Sequence, residues 1–230
     1  MKGQATPMPS PTFRFMRPSD PLQAPLRCVF IVDDDELVRD ALSSLLRSID
    51  LAVHAFATTE EFLAAPRSGE PSCLVLDVRL RGQTGLPFQQ ALLEHDEPHM
   101  PIVFMTGHGD IAMTVKAMKA GAVDFLAKPF RDQDMIDAVI AALDRDARRL
   151  ESARLMQAAR ACWESLTPRE CEVVQHVAGG LMNKQIADRM GIAEITAKIH
   201  RGQAMRKMNA RSVAELVRKM EALGVVESAC

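Results

Sequence analysis

Five short apolar runs lie between residues 28 and 127, and a helical pattern follows each of them. Cys28-Val-Phe-Ile-Val32 is continuous, β-branched and aromatic, the signature of a strand buried on both faces. Behind it Val38, Leu42, Leu45, Leu46 and Ile49 recur at spacings of three and four, one face of a helix. The same reading predicts strands near 52–56, 73–77, 101–105 and 124–127, and helices near 58–65, 86–95, 111–120 and 131–150. Parallel neighbours need crossovers of this length, so the pattern implies an α/β unit with a parallel sheet and helices on both faces. In such sheets the functional site lies beyond the carboxyl ends of the strands.

Past residue 145 the strand signal disappears. Residues 146–161 form a charged, Ala-rich helical stretch, read as the last helix running into a linker. Residues 162–230 read as all-α, with helices at 168–178, 183–190, 194–208 and 212–223 punctuated by Gly179-Gly180 and Gly191. Residues 1–25 hold six of the thirteen prolines and read as an extended, disordered arm. No apolar segment follows Lys2 as a signal peptide requires. The expected units are therefore 1–25, 26–145, 146–161 and 162–230. Charge divides the same way: residues 26–145 carry 11 basic and 19 acidic side chains, whereas 162–230 carry 10 and 8. An acidic body joined to a mildly basic piece suggests two domains with different partners. No stretch approaches the ~20 apolar residues of a membrane span. The five scattered cysteines, Cys28, Cys73, Cys162, Cys171 and Cys230, show neither a disulfide framework nor metal spacing. A reducing, cytoplasmic setting is expected, with the thiols packing as small apolar groups.

The residues at the strand ends are chemically matched. The first strand ends in Asp33 and Asp34, the third in Asp77 and the fourth in Thr106, while the fifth runs into Lys128-Pro129. Three carboxylates on one sheet edge repel and raise one another's pKa unless a cation neutralises them. Oxygen ligands of this kind suit Mg²⁺, which keeps several waters and is completed by a phosphate. A lysine pairs with phosphate oxygens and a hydroxyl hydrogen-bonds one. Together these parts suit a phosphoryl group carried on a carboxylate. Each has a plainer reading alone: an Asp pair caps the next helix and complements its dipole, Thr106 before Gly107 makes a turn, and a lone lysine is solvated. Their conjunction on one edge points to chemistry.

Val32-Asp-Asp-Asp-Glu36, Leu76-Asp77-Val-Arg79, Met105-Thr-Gly-His-Gly-Asp110 and Lys116-Ala-Met-Lys-Ala-Gly-Ala-Val-Asp124, ending in Lys128-Pro-Phe130, resemble a receiver domain of the FixJ branch of response regulators. The resemblance covers about residues 27–148. It implies a (βα)₅ doubly wound domain phosphorylated by a sensor histidine kinase. By position, Asp77 is the phospho-acceptor, and Asp33, Asp34, Asp77 and the carbonyl of Arg79 hold Mg²⁺. Thr106 and Lys128 contact the phosphoryl oxygens, Phe125 takes the place of a rotating aromatic switch, and the 111–127 face forms a homodimer contact. The chain departs from the family after Asp77, where Leu80 is followed by Arg81 and not proline. It also carries Phe125 where tyrosine is common.

Residues 196–211 hold five Lys or Arg and no acid. On a helical wheel Ala197, His200, Ala204, Met205 and Met208 form an apolar stripe, with Lys198, Gly202 and Arg206 opposite. His200 reads as a packed residue. A solvated charged face is the plain reading of such a helix, but its position behind a short helix ending at Gly191 matches a helix-turn-helix. Leu166-Thr-Pro-Arg-Glu-Cys-Glu-Val-Val174, Gly180-Leu-Met-Asn-Lys-Gln-Ile-Ala187 and Gly191-Ile-Ala-Glu-Ile-Thr-Ala-Lys-Ile-His-Arg201 resemble the LuxR-type four-helix DNA-binding domain. That resemblance implies that helix 194–208 enters the major groove of double-stranded DNA. Lys198 and Ile199 face base edges, and Asn183, Lys184, Thr196, Arg201, Arg206 and Lys207 contact phosphates. Gly202 stands where some relatives have a base-reading lysine. Glu170 and Glu172 brace the fold. Ala193 replaces a usual serine, removing an N-cap, Ala197 replaces a valine, and Cys171 a frequent arginine.

The implied protein is a transcriptional regulator and not an enzyme, with a sensor kinase, DNA and RNA polymerase as partners. Two rivals stand beside it. One is a phosphotransferase of the haloacid-dehalogenase kind, in which Asp33-x-Asp35 supplies the nucleophile; the attached DNA-binding pattern argues against it. The other is a phosphorylation-independent DNA-binding regulator, against which the complete set Asp33, Asp34, Asp77, Thr106 and Lys128 argues.

Overall fold

The computed structural model describes residues 27–67, 69–80, 83–84, 100–107 and 111–225. The expected arm, the helix at 86–95 and Cys230 lie outside them. The chain runs β1 (Cys28–Val32), α1 (Glu36–Arg47), β2 (Ala52–Phe56), α2 (Thr59–Ala64), β3 (Ser72–Asp77), β4 (Arg79–Leu80), β5 (Gln83–Thr84), β6 (Ile102–Thr106), α3 (Ile111–Lys119) and β7 (Asp124–Ala127). There follow α4 (Asp132–Glu164), α5 (Pro168–Ala178), α6 (Asn183–Met190), α7 (Glu194–Lys207) and α8 (Val213–Leu223).

Five strands form one parallel sheet in the order β2-β1-β3-β6-β7. Their apolar runs are continuous because both faces are covered. Val29, Ile31, Val75 and Val103 pack with Leu42 and Leu46 of α1 and with Met135, Val139 and Leu143 of α4. On the other face Phe30, Leu74, Leu76 and Phe104 pack with Phe62 of α2 and Ala117 of α3. Cys28 and Cys73 are buried among these residues, and burial pushes the Cys28 thiol up to about 11, which keeps it protonated and inert. The register sets Val32 beside Leu76, and Asp77 beside Met105. Asp33, Asp77, Thr106 and Lys128 therefore all fall at the carboxyl edge. The two-residue strands β4 and β5 pair as an antiparallel hairpin, an element too short to leave a periodic pattern.

The helix expected over 131–150 continues without a break through residue 164. It contains neither Gly nor Pro, and its Ala, Arg and Leu residues favour helix. Thirty-three residues span about 50 Å. Asp146, which opens the expected linker, is fully buried: Oδ2 accepts from the Ser72 amide at 2.9 Å and Oδ1 from Arg149 Nε at 2.8 Å. Residues 151–158 are exposed throughout. Further on, Cys162 and Trp163 join the core of the helical unit, built on Val173, Val177, Ile186, Ala197, Ala204, Leu216 and Met220. Among the described residues no helix is long and apolar enough to cross a membrane.

The four expected helices of the C-terminal unit are present, and their ends have local causes. Thr167 caps α5, and Glu170 three residues on reaches back to the Thr167 amide at 2.7 Å, a capping box. Gly191 stops α6 at φ +64°, a left-handed conformation that favours glycine. Ala193 offers α7 no side-chain cap, as its side chain dictates.

Glu170 is buried, and its Oε2 also accepts from Lys207 Nζ at 2.7 Å. The Lys207 and Thr167 hydrogen bonds hold its carboxyl below the usual glutamate range, against the opposing effect of burial. Because the folded-state value is depressed, this contribution to stability is present above the unfolded glutamate pKa and is lost as pH falls through the folded one. Glu170→Gln is expected to cost about 2 kcal/mol at neutral pH. The gap from the unaltered chain narrows below about pH 4, which urea denaturation at a series of pH values measures.

Candidate functional site

A lysine bridges two buried carboxylates at the sheet's carboxyl edge. Lys128 Nζ lies 2.7 Å from Asp33 Oδ2 and 2.6 Å from Asp77 Oδ2. Asp33 is 1% exposed and Asp77 7%. Each carboxylate has a second, backbone partner: the Asp35 amide donates to Asp33 Oδ1 and the Arg79 amide to Asp77 Oδ1, both at 2.9 Å. These are tight turns, in which an Asp side chain binds the amide two residues ahead. Asp35 caps α1 by accepting from the Leu37 amide at 2.9 Å. The capping role read for the acidic run thus belongs to its third member.

The electrostatics follow from burial. Desolvation raises the Asp33 carboxyl above the ordinary aspartate value, and the neighbouring Asp77 charge adds to this, while Lys128 and the Asp35 amide oppose it. Burial pulls the Lys128 ammonium down, but its hydrogen bonds to both carboxylates outweigh that and leave it above the ordinary lysine value. Lys128 therefore stays a cation.

The other expected site residues are arranged around this bridge. Thr106 is fully buried at the end of β6, and its carbonyl accepts from the Lys128 amide at 2.6 Å. Phe125 is half-buried on β7, its ring 6.3 Å from that of Phe104. Asp34 is half-buried next to Asp33. Among the described residues no three His, Cys, Asp or Glu side chains gather as a metal-holding group. The donor chemistry still fits Mg²⁺, which commonly takes one or two carboxylates, water and a phosphate. Asp33 and Asp77 are two such carboxylates on one edge.

Pattern reading missed Arg39. From the first turn of α1 its Nη1 donates to the Asp33 carbonyl at 2.8 Å and steadies the acidic turn. Only its spacing of six from Asp33, across the Asp35 cap, could have signalled it.

In the helical unit, α7 and its C-cap Met208 bury Ala197, Ala204 and Met208, and α7 exposes Lys198, Ile199, Gly202 and Arg206, the division expected from the wheel. His200 is half-buried, with Nδ1 buried and without a partner among the described residues. Arg201 Nη1 donates to Asn183 Oδ1 at 3.0 Å, which ties α7 to the start of α6. Lys184 is exposed and Thr196 half-buried. Lys207, expected on a phosphate, is exposed and has partners within the unit: it donates to Glu170 and to the Ser165 carbonyl, the latter at 3.1 Å. Lys219 of α8 donates to the Met208 and Asn209 carbonyls at 3.1 and 2.6 Å and so closes the end of α7. Glu172 pairs with Arg169 at 2.8 Å on the exposed side of α5.

Comparison with known proteins agrees with this division. Residues 29–140 match the response regulator receiver domain, and residues 164–220 the luxR family of bacterial regulatory proteins. Nodulation protein W of Bradyrhizobium diazoefficiens is 53% identical over 197 residues, 86% of each chain. Transcriptional regulatory protein FixJ of Azorhizobium caulinodans is 42% identical over 199 residues, 86% of this chain and 93% of the relative. The solved structure of response regulator StyR is 45% identical and superposes on 85% of this chain and 98% of its own with a TM-score of 0.78. Receiver domains generally bind Mg²⁺ at their phosphorylation site and imply a sensor kinase as partner; a luxR-type domain implies DNA. The family acts in transcription and is typically non-enzymatic. A parallel five-stranded receiver followed by a four-helix luxR-type domain, with relatives of this similarity, shows that the chain belongs to the response regulators, the transcriptional regulators of two-component systems.

Proposed function

We propose that Asp77 is the phospho-acceptor of this response regulator and that the charge change there drives dimerisation and DNA binding. The observation that carries the reading is the Lys128 ammonium bridging Asp33 and Asp77 at the carboxyl edge of the sheet. An Asp77 carboxylate oxygen attacks the phosphorus of a phosphohistidine on a sensor kinase. The new P–O bond forms as the P–N bond breaks, and the imidazole nitrogen keeps the electron pair. Asp33, Asp34, Asp77 and the Arg79 carbonyl would hold Mg²⁺, which would supply neutralisation of the charge on the phosphoryl oxygens. Lys128 exchanges its Asp77 contact for a phosphoryl oxygen, and the Thr106 hydroxyl donates to another. Phe125 registers the change. Arg39 keeps the Asp33 turn in place.

The local charge event biases a two-state element. The homodimer forms on the 111–127 face, where Val115 and Met118 are exposed at 45% and 43% and β7 is an edge strand. Two copies of α7 then enter successive major grooves of double-stranded DNA. Lys198 and Ile199 meet base edges, and Asn183, Lys184, Thr196, Arg201 and Arg206 meet phosphates. Lys207 anchors the end of the reading helix. The regulator works in the cytoplasm, touches RNA polymerase from the DNA and is not an enzyme.

Two experiments test this. The full-length chain, incubated with Mg²⁺ and acetyl phosphate, is expected to gain one phosphoryl group by intact mass and to shift to a dimer by light scattering; Asp77→Asn does neither. Equal labelling of Asp77→Asn contradicts the assignment, and labelling lost only in Asp33→Asn favours a phosphotransferase with Asp33 as nucleophile. Lys128→Met leaves two buried carboxylates without their cation and is expected to cost about 3 kcal/mol in chelator by urea denaturation. Added Mg²⁺ then stabilises that variant more than the unaltered chain.

A further inference from the structure

Gly202 lies inside α7, where glycine weakens a helix because its backbone has more freedom to lose. Among the described residues a Cβ built there meets no atom within 4 Å beyond the adjoining helix backbone. The fold thus gives no reason for the missing side chain: no neighbour would be displaced.

Gly202 shares a stripe with Ile195, Lys198 and Ile199, at spacings of seven, four and three. All four are exposed, Ile195 at 64% and Ile199 at 52%. The core-facing stripe of α7 is a different one, Ala197, Ala204 and Met208. The outer stripe therefore sets two β-branched apolar side chains in water, at positions where polar helix formers suit a solvated face better. Two large aliphatic groups, one cation and a gap do not describe a face built for water. They match the floor of a DNA major groove, which carries thymine methyl groups, the O6 and N7 acceptors of guanine, and walls close enough to limit helix approach.

We propose that Gly202 is a specificity determinant that lets the α7 backbone approach a base-pair edge closer than any side chain allows. Ile195 and Ile199 cover thymine C5-methyl groups, and Lys198 donates to guanine between them. Arg206, a turn beyond Gly202, is exposed and carries a charge for a backbone phosphate. This deepens the proposed function, since it rests on α7 being the helix that reads DNA.

The probe is the duplex that the full-length chain, with Mg²⁺ and acetyl phosphate, enriches from a random-sequence library. Replacing its contacted thymines by deoxyuridine removes only the methyl groups and is expected to weaken binding about fourfold per methyl. In the Ile195→Ala, Ile199→Ala double variant that sensitivity disappears. Gly202→Ala is expected to raise the melting temperature of the chain while weakening binding to the enriched duplex at least about tenfold, because a groove-facing methyl blocks the approach. Unchanged affinity of Gly202→Ala, or a lowered melting temperature, overturns the role of Gly202. Indifference to deoxyuridine overturns the role of the isoleucines. If no duplex is enriched, α7 does not read DNA and the underlying reading falls with the inference.

Discussion

Two carboxylates lie buried at the carboxyl edge of one sheet, and a single ammonium satisfies both. Asp33 and Asp77 end or follow neighbouring strands, so the parallel register brings them together whatever their charge. Like charges this close in a desolvated site oppose ionisation. Lys128 resolves the conflict at 2.6 and 2.7 Å, while the Asp35 and Arg79 amides take further lone pairs. The balance is local, so adding negative charge to either carboxylate redistributes the lysine. A site of this kind is poised to respond because its pieces are held by opposing requirements.

The single helix α4 gives that response a mechanical frame. Its first part closes the sheet through Met135, Val139 and Leu143, and Asp146 fastens it to the first amide of β3. The far end of the same strand carries Asp77. Its last turn, with Cys162 and Trp163, belongs to the core of the helical unit. Between these anchored ends the helix crosses solvent on its own hydrogen bonds, in a segment with good helix formers and no breaker.

The strands and helices were legible in the sequence because a buried parallel strand is continuously apolar and a packed helix repeats at three and four. Strand ends follow from those runs, so the sequence alone assigns Asp33, Asp77, Thr106 and Lys128 to one edge. The helices of the C-terminal unit were legible from Gly179-Gly180, Gly191 and the wheel around Ala197 and Ala204. What stayed hidden depends on tertiary contacts between polar groups. Arg39 on the Asp33 carbonyl, Asp146 on the Ser72 amide and Lys219 on the end of α7 leave no periodic trace. The bond from Lys207 to Glu170 is equally silent, because the two lie 37 residues apart in sequence. The helical reading of 146–161 agrees with the unbroken helix, whereas the burial of Asp146 at its start leaves no trace in a charged stretch.

The most direct test of the central claim is to locate the phosphoryl group by chemistry. Borohydride reduces an acyl phosphate to the alcohol, so a phosphorylated aspartate is read as homoserine by peptide mass spectrometry after treatment with acetyl phosphate and Mg²⁺. The predicted result is homoserine at position 77 alone. Homoserine at position 33 or 34, with position 77 unchanged, contradicts the assignment of Asp77 as acceptor and of Lys128 as the group that answers its charge.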